Sequence, residues 1–417
     1  MSFQVTILGG MRPVGDERSE AAGTGWLGLS RNVRVLGWVS FFNDVASEML
    51  YPIVPIFLTT VLQAPASVVG LIEGIAESTS SILKLASGWL SDRLGARKPF
   101  VVLGYFLSTA SRIILGLAAT WHVVLTARFV DRFGKGARTS ARDALIAESS
   151  HESARGRAFG YHRAVDTLGA VVGPLAAILL IRLLDNDFKT IFFISAVPGL
   201  VGVTLLIFLV RESKPRRRQQ TPESPPSVAA DSLSARFKIF LLISAVFAVG
   251  NSSDAFLILR AQSLGMSLIT TILAYTVFNL SYALLSFPAG TFSDRIGARR
   301  VMISGFLIFG IVYFLFGLVD SSSFLWILFP LYGGYMALTE GVGKAYVSRM
   351  VPADRLGRAM GVYQMVMGLC MFFASVIAGQ LWTHLSVRAP FFLGAATAIL
   401  AAVIFALTGR PAANRKG

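Results

Sequence analysis

Acidic residues inside an apolar stretch are the first candidates for chemistry in this chain. The segment FFNDVASEMLYPIVP carries Asn43, Asp44 and Glu48, and its two acids, four apart, lie on one face of a helix. Carboxylates that close repel each other as anions and lose solvation when buried, so either could take up and release a proton near neutral pH. A second set is basic. In TARFVDRFGKGARTSARDALIAE, Arg128, Arg132, Lys135, Arg138 and Arg142 recur every three or four residues, which draws one stripe down a helix. Asn251, Asp254, Glu340 and Lys344 sit in later apolar runs, and Glu73, Glu77, Lys84, His162, Arg163 and Asp166 in earlier ones. Ionisable groups within a membrane span are expensive, so they face a cavity or pair with one another. Part of this set must therefore form internal salt bridges, and Glu340 with Lys344 is one such pairing at helical spacing. Other chemistries lack their residues. His122, His151, His162 and His384 are scattered over different segments and Cys370 stands alone, so no metal site, disulfide or thiolate centre is expected. No G-x-x-x-x-G-K-[ST] loop is present, so ATP drive within the chain is unsupported, and no cofactor is expected.

The elements that must hold these residues are helices in lipid. Of 417 residues, 54% are hydrophobic and only 15% charged, with a mean hydropathy of +0.64. A soluble domain keeps about a quarter of its residues charged to solvate its surface. The net charge of +15 could suggest a nucleic-acid partner, but the cations lie between apolar runs and in the tails, as membrane topology requires. No nucleic-acid partner is expected. A hydrocarbon core needs about 20 apolar residues per helix. Runs of that length predict helices at 35–61, 66–90, 99–119, 121–146, 157–183, 189–210, 238–260, 267–290, 300–319, 323–348, 357–382 and 389–409. The fold class is an all-α membrane protein with twelve transmembrane helices. The Lys/Arg-rich loops alternate onto one side, which puts both termini and the central loop in the cytoplasm of a cell (inner or plasma) membrane protein. The stretch MSFQVTILGGMRPVGDERSE has too short an apolar core for a cleaved signal, and the run from Val33 serves as an uncleaved anchor.

The polar, proline-rich segment from Arg211 to Arg236 reads as a linker at the middle of the chain, and the two sides of it repeat each other. After helix two the chain carries Gly88, Asp92, Arg93, Gly95, Arg97 and Lys98 in GWLSDRLGARK. After helix eight it carries Gly290, Asp294, Arg295, Gly297, Arg299 and Arg300 in GTFSDRIGARR. The two aspartates are 202 residues apart, and a second motif, GRAFG at Gly156 and GRAMG at Gly357, repeats at 201. Two motifs whose offsets agree to within one residue mark a duplication of six helices in the same orientation. The expected layout is a tail over 1–34, a bundle over 35–210, a linker over 211–237, a second bundle over 238–409 and a tail over 410–417. The offset also pairs Arg138 with Glu340, and Arg142 with Lys344.

The pattern G-x-x-x-D-R-x-G-x-[RK]-[RK] between helices two and three, echoed between eight and nine, resembles motif A of the major facilitator superfamily, and the resemblance covers the whole chain. It implies two six-helix bundles related by an axis along the membrane normal. It also implies that Asp92 meets the N-terminal dipole of helix eleven across the halves and holds one state closed. Arg97 and Lys98 could pair with Asp143 or Glu148. Alternatively, the basic residues serve only topology. The resemblance puts helices one, four, seven and ten around the central cavity, and with them the basic stripe, although Arg138 and Arg142 can instead snorkel to the cytoplasm. Arg132 with Gly136 loosely resembles motif B. Gly169, Gly173 and Pro174 resemble motif C of proton-driven exporters, although a small-residue packing face explains the glycines equally well. The implied function is secondary active transport by alternating access, not enzyme catalysis. Protons couple through Asp44, Glu48, Asp254 or Glu340. The cargo is a small charged or zwitterionic organic molecule held by Asn43, Arg128, Arg132, Lys135, Arg138, Asn251 and Lys344. Export by proton antiport is favoured mildly over uptake or exchange of an organic anion, with a channel or membrane enzyme remote. The partners implied are substrate, protons and lipid, with the protein a monomer.

Overall fold

The computed structural model describes residues 29–150, 155–212, 234–351 and 356–408, and every regular element among them is a helix. The expected C-terminal tail, most of the N-terminal one and most of the linker lie outside the described residues, while residues 31–34 of the expected N-terminal tail are helical. The first part comprises α1 (Arg31–Glu48), α2 (Ile53–Ile56), α3 (Ala66–Leu94), α4 (Lys98–Gly116), α5 (Trp121–Glu148), α6 (Arg155–Leu183) and α7 (Phe188–Leu209). The second comprises α8 (Ala235–Gly250), α9 (Ala255–Ser263), α10 (Leu268–Ile296), α11 (Ala298–Leu318), α12 (Leu325–Ser348), α13 (Leu356–His384) and α14 (Ala389–Thr408). Local chemistry sets the starts. Ser30, Ser234 and Ser267 each accept a hydrogen bond from the backbone N–H three residues on, and Asp187 does so for α7. Gly95 (φ 63°) and Gly297 (φ 93°) turn the chain after α3 and α10 in the left-handed region, where a side chain is strained.

Nine helical segments among the described residues are long and apolar enough to cross a membrane. The remaining long helices, α3, α5 and α12, hold much of the buried charge, which lowers their hydropathy. The first and seventh predicted helices, placed over 35–61 and 238–260, are each interrupted, the first with Tyr51 N still bonded to Ser47 O and Val54 N to Leu50 O. Between α1 and α2 the chain turns at Met49–Pro52, where Pro52 has no N–H to continue the ladder. Between α8 and α9 it unwinds at Asn251–Asp254. There short polar side chains compete for the backbone: Ser253 Oγ accepts from Ala255 N at 3.3 Å, and Ser375 Oγ accepts from Ser253 N at 3.1 Å.

Helices before the central linker pack on one another, with α1 against α6 and α7, and α5 against α3 and α4. Those after it do the same, with α12 against α10 and α11, and α14 against α8 and α11. Two long seams join the sets, α3 to α13 and α6 to α10, and the short helices α2 and α9 also touch. The α3–α13 seam is built from bare backbone: a Cβ on Gly70 would stand 2.2 Å from Ser375 O, and one on Gly379 would stand 2.7 Å from Ala66 O. Ser67 N donates to Thr383 Oγ1 at 3.0 Å across it.

Arg260 on α9 is buried and donates to Phe316 O at 2.9 Å and Val319 O at 2.8 Å, which satisfies the carbonyl end of α11. Arg260→Leu strands these acceptors and should lower stability by about 2 kcal/mol. The check is the thermal unfolding midpoint in detergent, and an unchanged midpoint would refute the capping role.

Candidate functional site

The basic stripe on α5 meets a matching acidic face on α3. Arg128 clasps Glu73 with Nε at 3.1 Å and Nη2 at 2.7 and 2.8 Å, and Arg132 pairs with Glu77 at 3.0 Å. Four residues separate the acids and four separate the arginines, so the two pairs are successive rungs between parallel helices. The helices approach closely because Gly136 packs on Ser80 O and Leu83. Further along, the stripe rotates away. Arg138 donates to Ser108 Oγ at 2.5 Å and lies 4.5 Å above the Tyr105 ring, both on α4. Arg142 binds Asp143 at 2.9 Å and Ser40 at 3.3 Å. Lys135 lies between these groups, half-buried, with no ion pair or side-chain hydrogen bond among the described residues, and Lys84 on α3 is in the same position. Lys84 lies close enough to Lys135 and Lys344 to feel their repulsion.

The two helix breaks meet where the halves join. Tyr51 in the first break and Ser253 in the second, 202 residues apart, share a 3.5 Å hydroxyl contact. Ser253 Oγ also donates to Glu73 Oε2 at 3.3 Å, which ties the Arg128 pair to the second half. Tyr51 stacks on Tyr275 of α10 with centroids 5.4 Å apart, and Tyr275 OH donates to Glu48 at 3.1 Å. Asp44 accepts from Asn43 at 3.3 Å, while Arg112 on α4 donates to Asn43 Oδ1 at 3.1 Å. Asp44 and Glu48 thus share a face, as the spacing predicts, but each meets a different neighbour. Asp254 accepts from Tyr332 OH at 2.6 Å, and Asn251 Oδ1 is buried without a hydrogen-bond partner among the described residues. Glu340 accepts from Tyr282 OH at 2.5 Å and pairs with Lys344 at 3.5 Å, while Arg163 of α6 reaches the same tyrosine at 3.4 Å. Arg138 and Glu340, matched by the repeat register, therefore do not meet. A cavity of about 430 Å³ begins at Arg163, Tyr282, Glu340 and Lys344 and runs along α10 to Gly290 and Asp294. It opens toward the basic loops, whereas the α3–α13 seam and the paired breaks close the opposite end.

At the first basic loop Arg97 pairs with Glu148 at 3.3 Å, its Nη1 donates to Ser91 at 2.8 Å, and Lys98 Nζ donates to Ile207 O at 2.8 Å. Arg93 lies 5.4 Å above the Trp89 ring, and Gly88 packs on Ser140. Asp92 is in the last turn of α3, and its side chain lies outside the described residues. At the second loop Asp294 pairs with Arg349 at 2.6 Å, and Arg299 donates to Phe405 O and Ala406 O at the end of α14. Arg295 and Arg300 are exposed. The sequence profile of the Major Facilitator Superfamily matches residues 36–259 and again 239–417. The chain belongs to the major facilitator superfamily. This major facilitator is 38% identical over 382 residues to an uncharacterised MFS-type transporter of Methanocaldococcus jannaschii, covering 90% of this chain and 94% of the relative. Its fold is similar to the nucleoside transporter NupG, with a TM-score of 0.73 at 13% identity, covering 90% of this chain and 98% of that one. It is also similar to the human organic anion transporter MFSD10, with a TM-score of 0.65 at 16% identity, covering 90% and 99%. It is a multi-pass membrane transporter, not an enzyme.

In this major facilitator, Gly169 and Gly173 of α6 have a local task. A Cβ on Gly169 would stand 2.6 Å from Phe41 O and 3.1 Å from Asp44 Cβ, and one on Gly173 would stand 2.8 Å from Val45 O and 3.0 Å from Glu48 Cβ. These glycines press α6 onto the acidic face of α1, with Pro174 continuing the helix beside them. The breaks and the residues that join them, Tyr51, Ser253 and Tyr275, were absent from the candidates. One signal was available: the 202-residue offset carries Leu50-Tyr51-Pro52 onto Ser252-Ser253-Asp254.

Proposed function

We propose that the chain is a twelve-span secondary carrier that binds a small organic anion against Lys84 and Lys135 and moves it together with protons. The observation that carries this reading is the contrast among the buried cations. Arg128 and Arg132 are neutralised by acids, while Lys84 and Lys135 are left without an ion pair among the described residues. An unpaired half-buried ammonium attracts a mobile anion in a low-dielectric interior. Asp44 and Glu48 supply the coupling. Ionised, they oppose Lys135 electrostatically; protonated, they leave its charge for the substrate. Protonation and anion binding therefore favour each other, and cargo and proton move in one direction. The halves, taken as bundles over 35–210 and 238–409, rock about this site. The basic loops and both termini face the cytoplasm by the positive-inside rule, and the carrier acts as a monomer. Proton antiport would instead expel a proton when cargo binds. The packing of Gly169 and Gly173 on α1 accounts for those glycines without it.

The test begins with a thermal-shift screen of the purified protein against organic acids and cationic drugs. Adding a stabilising organic acid to weakly buffered protein should raise the solution pH as protons are taken up; a fall in pH on binding would favour antiport. Lys135→Ala should weaken that acid's affinity about tenfold, equivalent to about 1.4 kcal/mol. Unchanged affinity would make Lys135 structural.

A further inference from the structure

Asp166 on α6 has no role in the function proposed above, yet the helix register delivers it to Asp44. Helices α1 and α6 run parallel and are held in step by a buried bond between Ser40 Oγ and His162 Nε2 at 2.9 Å. Advancing four residues along each helix moves one full turn down the same interface, from Ser40 and His162 to Asp44 and Asp166. Gly169 and Gly173 keep the helices at backbone contact over this turn, since a Cβ on Gly169 would press on Asp44 Cβ itself. The two carboxyl groups lie within hydrogen-bonding reach of each other. Two ionised carboxylates offer four acceptors and no donor, so a bond between them requires a proton.

We infer that Asp44 and Asp166 form one carboxyl–carboxylate pair that holds a single proton between α1 and α6, making Asp166 a proton-coupling residue. The surroundings suit one proton rather than none or two. Toward Asp44 point Lys135 from α5, Arg112 from α4, and Glu48 from its own helix. Around Asp166 stand Arg142 from α5 and His162 and Arg163 from α6. Helix α7, also packed on α1, has Lys189 in its first turn as its sole ionisable residue, and α10 brings Tyr282 to Arg163. The cations stabilise one negative charge on the pair, while like-charge repulsion at contact opposes a second. The pair thus fills from water with one proton and empties as a unit.

This inference rests on the proton-coupled reading of α1, so its test uses no substrate. Infrared difference spectra are recorded on the purified protein in lipid vesicles between mildly acidic and mildly alkaline pH. The wild type should show a protonated-carboxyl C=O band at neutral pH. Asp44→Asn and Asp166→Asn should each remove the same component of it and leave only what Glu48 contributes, because either change destroys the shared site, whereas Asp166→Glu should keep that component. A wild type without the band, or an Asp166→Asn protein that retains it at full intensity, would overturn the pair. Asp166→Glu shows whether loss of the band in Asp166→Asn reflects the carboxyl or a folding failure. If anion–proton cotransport fails in the ligand assays, this result is untouched, and a missing band leaves the lysine site standing.

Discussion

A valine at position 70 is expected to lock the protein with its seam-closed end open. The seam between α3 and α13 closes on bare backbone: a Cβ at Gly70 would lie 2.2 Å from Ser375 O and 3.2 Å from Gly379 Cα. Neither obstacle is a flexible side chain that can swing aside. Overpacking of this kind costs about 1–3 kcal/mol. Even 2 kcal/mol shifts a two-state equilibrium about thirtyfold. Cycling between two closures requires both to be populated, so transport should fall by at least that order. Ser67 and Thr383, hydrogen-bonded across the same seam, supply the readout. A cysteine pair at 67 and 383, made after replacing Cys370, should cross-link readily in the parent and roughly tenfold more slowly with Gly70→Val. Equal rates would mean that the seam tolerates the side chain.

The second large effect is electrostatic. Glu73→Ala leaves Arg128 buried with its charge uncompensated and removes the carboxylate that Ser253 reaches from the other half. Breaking a buried ion pair from one side costs about 3–5 kcal/mol. The unfolding midpoint in detergent should drop accordingly. Replacing both partners, Glu73→Gln with Arg128→Met, should recover most of the loss, since neither residue then carries a charge to strand. If the double variant is as unstable as the single one, the pair is not the unit that matters.

The fold class was legible because lipid imposes it: long apolar runs separated by cations leave little else for a chain to do. The repeat was legible because two motifs kept one offset to within a residue. The side-chain network was less so, for a geometric reason. Residues at intervals of three or four appear as one stripe, yet fourteen residues of helix accumulate a rotation, so Arg128 and Arg132 face α3 while Arg138 faces α4. Sequence spacing also pairs residues within a helix, whereas the structure pairs them between helices. Asp44 and Glu48 share a face but answer to Asp166 and Tyr275, neither of which is near them in the chain. The helix breaks were hidden because a run of apolar residues scores alike whether its backbone is continuous or cut. Pro52 and the Asn-Ser-Ser-Asp cluster at 251–254, which the repeat offset aligns, were the marks of the breaks.

Those cuts bear on mechanics. A continuous α-helix carries torque along its length through its hydrogen-bond ladder, and an interrupted one does not. The break before Ala255–Ser263 is therefore the looser of the two, because at the first break Tyr51 N and Val54 N still reach Ser47 O and Leu50 O and couple Ile53–Ile56 to Arg31–Glu48. A lever hinged at its middle lets its short arm stay seated while the long arm swings. The contact between Tyr51 and Ser253 sits at these breaks, where a bend displaces its own pivot least, so two hydroxyl groups 3.5 Å apart would keep their places through a change of angle.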